Sequence, residues 1–182
     1  MSSPTFERLT LPTREVAEAF SRWESDPALI PLMRPNRCEA DLTQRSVVTL
    51  EELSARMRDH AMFLIFLEGR LVGEMNYMVD PDHLFHAEPG TAWVGITVGE
   101  ALARGRGLGT QAMRYLEDQI WAAGLTRIEL GVFSFNAPAI HTYRKLGYTE
   151  IGRIPDFTYW QGRMWEDIRM EKRFTGSAKP LP

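Results

Sequence analysis

The residues best suited to chemistry lie at positions 104–110, Arg104-Gly105-Arg106-Gly107-Leu108-Gly109-Thr110. Three glycines alternate with basic and small residues and lead into a helical pattern in which Leu108, Ala112, Leu116 and Ile120 recur four apart. Glycine lets the backbone turn tightly and approach a ligand with no Cβ in the way. The first N–H groups of the helix have no intrahelical acceptor, and its dipole adds about half a positive charge at that end. Such a loop binds anions, phosphates above all.

The spacing narrows the ligand. A dinucleotide loop needs Gly-x-Gly-x-x-Gly and an acidic residue ending the next strand. Here the glycines run Gly-x-Gly-x-Gly from Gly105, Thr110 stands where the third glycine belongs, and Glu129 falls inside its strand. A nucleoside-triphosphate P-loop is excluded because no Gly-x-x-x-x-Gly-Lys-Ser/Thr occurs. Downstream, Asn136 can cap a short helix that carries Tyr143. Carboxylates within reach of a central strand are Glu129, Glu88, Glu74, Asp80 and Asp82. His83 and His86, three apart in a loop with no third ligand, read as surface residues, and Cys38 is alone, so neither a metal nor an internal disulfide is expected.

These groups need a scaffold. A first helix is expected from an N-cap at Thr13 to the Asp26-Pro27 break, and a second from a capping box at Thr49 and Glu52. Residues 61–67 and 71–79 read as a hairpin turning at Glu68-Gly69-Arg70, followed by an acidic, proline-broken loop over 80–90. A strand at 91–98 enters the glycine loop, and the helix after it ends at Gly124. A strand at 127–133, a helix from the Asn136 cap to Leu146, and strands at 148–154 and 164–174 around an aromatic loop complete the domain. Residues 1–174 are expected to form one domain and 175–182 an unstructured tail.

At 182 residues and 44% hydrophobic, the chain can bury one sizeable core. A net charge of −3 without any basic block argues against nucleic acid as partner. No apolar run approaches the roughly 20 residues of a membrane span, and the first fifteen residues lack a signal-peptide core, so a cytoplasmic protein is expected.

Arg104, Gly107 and Gly109 match the acyl-coenzyme A loop of the GNAT N-acetyltransferases, Arg or Gln, two residues, Gly, one residue, Gly or Ala. Asn136, Ala139-Ile140, Tyr143 and Leu146-Gly147-Tyr148 fall where that superfamily has an asparagine, a short helix, a tyrosine and a Leu-Gly-aromatic turn. Residues 9–33 resemble its opening strand and tryptophan-bearing helix. Residues 150–153 and 165–170 resemble the closing hairpin of the branch that acetylates ribosomal-protein N-termini.

The resemblance implies an α/β fold with a mixed, largely antiparallel sheet splayed at its central strands and flanked by helices. It implies transfer of acetyl from acetyl-CoA to a primary amine by direct attack in a ternary complex, with a protein or peptide N-terminus as acceptor. A small-molecule amine (aminoglycoside, polyamine or amino-acid-like) is the alternative, and a non-catalytic acyl-CoA sensor a third. Cofactor contacts would come from the main chain at Ile96, Thr97 and Val98, from Arg104, Gly105, Arg106, Gly107, Leu108, Gly109 and Thr110, and from Asn136. Tyr143 would protonate the leaving thiolate, with Glu129 or Glu88 as base, or else Glu74, Asp80 or Asp82. Some members carry a glutamate five residues before the asparagine, where this chain has Gly131. Without a dedicated base, a weakly basic α-amine is the easier acceptor. Phe157, Tyr159 and Trp160 could wall the acceptor groove or form a dimer contact.

Overall fold

In the computed structural model, which describes residues 3–176, a seven-stranded sheet runs in the order β1-β2-β3-β4-β5-β7-β6. Its strands are β1 (Thr5–Arg8), β2 (Ala61–Leu67), β3 (Arg70–Val79), β4 (Thr91–Val98), β5 (Arg127–Phe133), β6 (Thr149–Trp160) and β7 (Arg163–Arg173). Every neighbouring pair is antiparallel except β4 and β5. The helices are α1 (Arg14–Glu24), α2 (Ile30–Met33), α3 (Leu50–Asp59), α4 (Leu108–Ala122) and α5 (Ala137–Lys145). This is the mixed sheet with flanking helices that the resemblance implies.

Local signals explain most boundaries. Thr13 accepts from Val16 N, and Thr49 and Glu52 form a reciprocal capping box at 3.1 and 2.8 Å. The β2–β3 and β6–β7 turns place Glu68-Gly69 and Gln161-Gly162 at positive φ, the conformation of tight hairpins. Strand alternation then divides the core. Ile128, Leu130 and Val132 face α4 and α5, together with Met75, Tyr77 and Val94. Met62 and Leu64 face α1 and α3 on the opposite side.

Three expectations are corrected. The opening strand ends at Arg8, before Leu9, although Leu9 N still donates to Met62 O at 2.9 Å. The supposed aromatic loop is strand up to Trp160, because a bulge with Asp156 at φ 49° absorbs the irregular residues between Ile154 and Thr158. The irregular stretch after α1 includes the one-turn α2 and a 3₁₀ turn at Glu39–Thr43. Of the tail, residues 177–182 lie outside the described residues.

Strands β4 and β5 pair only at Thr91↔Arg127, Ala92↔Ile128 and Trp93↔Glu129, whereas β4 remains paired to β3 as far as Val98↔Gly73. The sheet therefore opens between the far ends of two parallel strands.

Candidate active site

A cavity of about 1020 Å³ occupies this opening. It is lined by residues 104, 105 and 107–110, by residues 93–98 of β4, by residues 131–133 of β5, and by Asn136, Pro138, Ala139 and Tyr143. On the opposite face of the sheet it extends to Trp23, Arg56, Glu74, Asn76, Asp167 and Arg169.

The loop has the properties an anion requires. Gly107 caps α4 at φ 72°, Gly105 lies at φ 74°, and a Cβ at Gly105, Gly107 or Gly109 would meet no atom within 4 Å. The N–H groups of residues 105–110 make no backbone hydrogen bond among the described residues. Open donors at a helix N-terminus, with bare glycine surface around them, fit a pyrophosphate.

Arg104 is arranged differently from expectation. Its Nε donates to Val98 O at 3.0 Å, and one terminal nitrogen reaches Gly99 O at 2.6 Å and Asp26 at 3.3 Å. The guanidinium thus ties the loop to the end of β4, and its geometry is that of a brace more than of a phosphate ligand. Arg106 is exposed and is not among the residues lining the cavity.

Along β4 the period of two decides which main-chain groups are open. Asp80 N donates to Thr91 O at 2.9 Å, so residues 91, 93, 95 and 97 turn their main chain toward β3. Residues 94, 96 and 98 turn theirs into the opening. Ile96 and Val98 are therefore available there, while Val98 O already accepts from Arg104. Thr97 is corrected: its main chain faces β3, and its side chain hydrogen-bonds Glu74.

Asn136 caps α5 by accepting from Ala139 N at 3.4 Å and also lines the cavity. Tyr143 is half-buried, stacks edge-on to Tyr148 at 5.8 Å, and lines the same wall. Burial pushes its phenol up to about 12.

The carboxylates sort in a way that no local pattern reveals. Glu129 is fully buried, pairs with Arg127 at 2.6 Å, and accepts from Phe85 N at 2.6 Å and His86 N at 3.4 Å. Glu88 binds Arg173 through both oxygens at 2.7 and 2.8 Å, which holds its carboxyl below the ordinary range. Neither lines the cavity, which corrects the choice of either as base. Glu129 instead clamps the 80–90 loop onto the sheet, helped by Arg127 and Arg169 bonds to His86 O and His83 O, each 3.0 Å. His83, expected as an ordinary surface residue, lines the cavity and stacks edge-on to Trp93 at 4.7 Å.

Glu74 does face the cleft. Its side chain accepts from Asn76 Nδ2 at 3.0 Å and is 7% exposed. Desolvation pushes its carboxyl up to about 7, against the hydrogen bonds from Asn76 and Thr97 and the more distant charge of Arg56, with Glu24 acting in the same upward direction. Arg56 is already ion-paired with Glu24, so no cation touches Glu74 directly.

The sequence reading missed Asp167 and Arg169. Asp167 accepts from Arg169 Nε at 2.7 Å, and Arg169 lies over the Trp93 ring at 4.7 Å. A glycine inside β5, Gly131, was the available signal, because such glycines mark close approach of another group. Beside the cleft the segment after α2 is bonded to β6: Asn36 N donates to Thr158 Oγ1 at 3.0 Å, and Tyr159 N donates to Asn36 O at 2.8 Å.

Among the described residues no group of three or more His, Cys, Asp or Glu could hold a metal ion, and no helix is long and apolar enough to cross a membrane.

Known proteins share this architecture. A ribosomal-protein-alanine N-acetyltransferase from Brucella melitensis aligns with a TM-score of 0.73 at 21% identity, over 93% of this chain and 99% of its own. A protein from Salmonella typhimurium, solved with its cofactor acetyl-CoA, aligns with a TM-score of 0.75 at 20% identity, over 98% of each chain. Spermidine N-acetyltransferase from Vibrio cholerae, solved with CoA and spermine, gives 0.71 at 17% identity, over 93% of this chain and 95% of its own. In sequence, a mycothiol acetyltransferase from Arthrobacter sp. (strain FB24) is 33% identical over 110 residues, or 56% of this chain, and the chain spans 33% of that relative's length. Residues 18–148 match the Acetyltransferase (GNAT) family, a stretch that contains the glycine loop, the splayed strands, Asn136 and Tyr143. The chain belongs to the GNAT family of acetyltransferases, whose acyl donor is acetyl-CoA.

Proposed function

We propose that residues 1–174 form one catalytic domain that transfers acetyl from acetyl-CoA to a primary amine, with Glu74 as the base that receives the amine's proton. The observation that carries this reading is the placement of Glu74, a buried carboxyl titrating near neutrality, in the same cavity as the anion-binding loop. When bound, acetyl-CoA supplies the acetyl group as a thioester.

The chain's own residues have four tasks. N–H groups of residues 105–110 hold the pyrophosphate, with Leu108, Gly109 and Thr110 forming the first turn of α4. Main-chain groups of β4 at Val94, Ile96 and Val98 pair with the pantetheine arm and offer an N–H to the thioester carbonyl. Asn136 holds the arm from the α5 side. Tyr143 donates a hydrogen bond to the sulfur as negative charge develops there. A phenol titrating near 12 keeps its proton at neutral pH, and the same shift opposes complete transfer, so its work is stabilisation of the developing thiolate.

The energetics of the amine follow from Glu74. Moving a proton from an α-amine of pKa about 8 to a carboxylate at about 7 costs about 1.4 kcal/mol, against about 4.6 kcal/mol from a lysine-like amine near 10.4. A base titrating at about 7 leaves these costs equal to those of proton loss to water at pH 7, so the preference for an α-amine stays at about 3.2 kcal/mol, and both acceptor classes remain chemically within reach. A protein or peptide N-terminus is the acceptor implied by the resemblance to the ribosomal-protein branch.

Thiol release from acetyl-CoA with trialanine, spermidine, kanamycin and free methionine separates the readings. Turnover with trialanine alone supports the peptide acceptor, and turnover with a small amine alone supports the second class. CoA binding without turnover on any amine favours a sensor. Tyr143→Phe should lower kcat about 10- to 100-fold with CoA affinity unchanged; normal turnover would remove Tyr143 from the mechanism.

A further inference from the structure

Gly131 sits on β5 just beyond the last β4–β5 pair, Trp93↔Glu129. Continuing that register places Gly95 and Gly131 level on either side of the opening, and Thr97 level with Phe133. A Cβ at Gly131 would fall 2.8 and 3.0 Å from the two oxygens of Asp167 and 3.0 Å from the edge of Trp93. Asp167 is opposite Phe133 in register, so its carboxylate leans one level along β5 to lie over Gly131.

We infer, building on the proposed acetyl transfer, that Asp167 is the positioning carboxylate for the acceptor amine, delivered from β7 into the place a side chain at position 131 would otherwise hold.

The surroundings suit that task. Asp167 Oδ2 is fixed by Arg169 Nε at 2.7 Å, and Arg169 is itself held by His83 O at 3.0 Å and by the Trp93 face. Asp167 Oδ1 accepts no hydrogen bond among the described residues, and the side chain lines the cavity. The two residues therefore flank the opening at one register level, Glu74 on β3 opposite Thr97 and Asp167 on β7 opposite Phe133, with the Asp167 carboxylate leaning from there over Gly131. Their environments divide the labour. Burial raises the Asp167 carboxyl above its ordinary value, opposed by the Arg169 guanidinium in direct contact with it. Glu74 has no such contact and holds or releases a proton near neutrality. Contact with Arg169 at one oxygen and an open second oxygen assign the roles: Asp167 accepts an N–H of the incoming ammonium and orients it, and Glu74 takes the proton.

The test is steady-state kinetics with whichever of trialanine, spermidine, kanamycin or methionine turns over fastest. Asp167→Asn, which can still accept from Arg169, should raise KM for the amine at least 10-fold. KM for acetyl-CoA should stay within 2-fold and the acidic limb of the pH profile should remain near 7. Gly131→Asp alone should be impaired, because its side chain would collide with Asp167. The double variant D167A/G131D should recover amine KM to within about 5-fold of the parent, since position 131 faces Arg169 across the β5–β7 ladder and returns a carboxylate to the same place. An unchanged amine KM in Asp167→Asn overturns the proposal, as does a folded double variant no better than Asp167→Ala. Loss of the acidic limb in Asp167→Asn makes Asp167 the base and overturns the division of roles. Glu74→Gln run in parallel keeps the two readings distinct: retained turnover there refutes Glu74 as base and leaves the Asp167 result to stand or fall on its own KM.

Discussion

Glu74→Gln should lower kcat/KM by about 10²- to 10⁴-fold and, above pH 7, make the protein more stable. The activity loss follows from removing a carboxyl that lines the cavity, titrates near neutrality and has no cation in contact among the described residues. In the parent, kcat/KM should rise with pH through about 7, where Glu74 loses its proton, and the variant should lack that limb.

The stability gain has the opposite origin. Burial raises the folded-state carboxyl from 4.5 to about 7, so the folded protein binds a proton more tightly than the unfolded chain does. The stability this contributes is complete below about 4.5 and is lost as pH rises through about 7. At pH 8 the parent therefore carries a buried charge costing on the order of 3 kcal/mol, which glutamine removes while it still accepts from Asn76. Thermal unfolding should show Glu74→Gln several degrees above the parent at pH 8, with the gap closing toward pH 5. An equal or lower midpoint at pH 8 would contradict the buried-charge account. Undiminished turnover would remove Glu74 from the chemistry.

Gly107→Val should abolish CoA binding, at least 100-fold by calorimetry, while the protein remains folded. At φ 72° a β-branched residue is strained by about 1–2 kcal/mol, and its side chain would enter the open space over the α4 N-terminus. Gly109→Ala is a sharper companion because Gly109 is already helical and its Cβ would meet no protein atom. Alanine there should stabilise the ligand-free protein by about 0.5–1 kcal/mol and weaken CoA binding. Unchanged CoA affinity in both variants would show that the pyrophosphate lies elsewhere.

Much of this protein was legible from sequence wherever the cause is local. Thr13, Thr49 and Asn136 cap helices through bonds three residues away, and residues 105–110 leave consecutive N–H groups without a backbone partner among the described residues. The GNAT family could be recognised for the same reason, since the loop, Asn136 and Tyr143 hold their spacing along the chain. The partners of Arg104, by contrast, are set by tertiary contacts. Whether a guanidinium faces a phosphate or the carbonyls of Val98 and Gly99 depends on how the loop folds back on β4.

The choice of base shows where local reading ends. Glu74 and Glu129 both lie on central strands, and alternation turns both to the same face of the sheet. Glu129 became structural because the sheet sets it beside Arg127 and because residues more than forty positions earlier fold over it. Glu74 was left desolvated and without a contacting cation because Arg56 was drawn to Glu24 on another helix.

The sequence by itself determined the donor, because an acyl-CoA loop is written in neighbouring residues whose backbone makes the contacts. Only the tertiary structure decided which carboxyls line the cleft. A carboxylate's role depends on burial and on charges brought together by strand register, and register placed Asp167 over Gly131, thirty-six residues earlier in the chain.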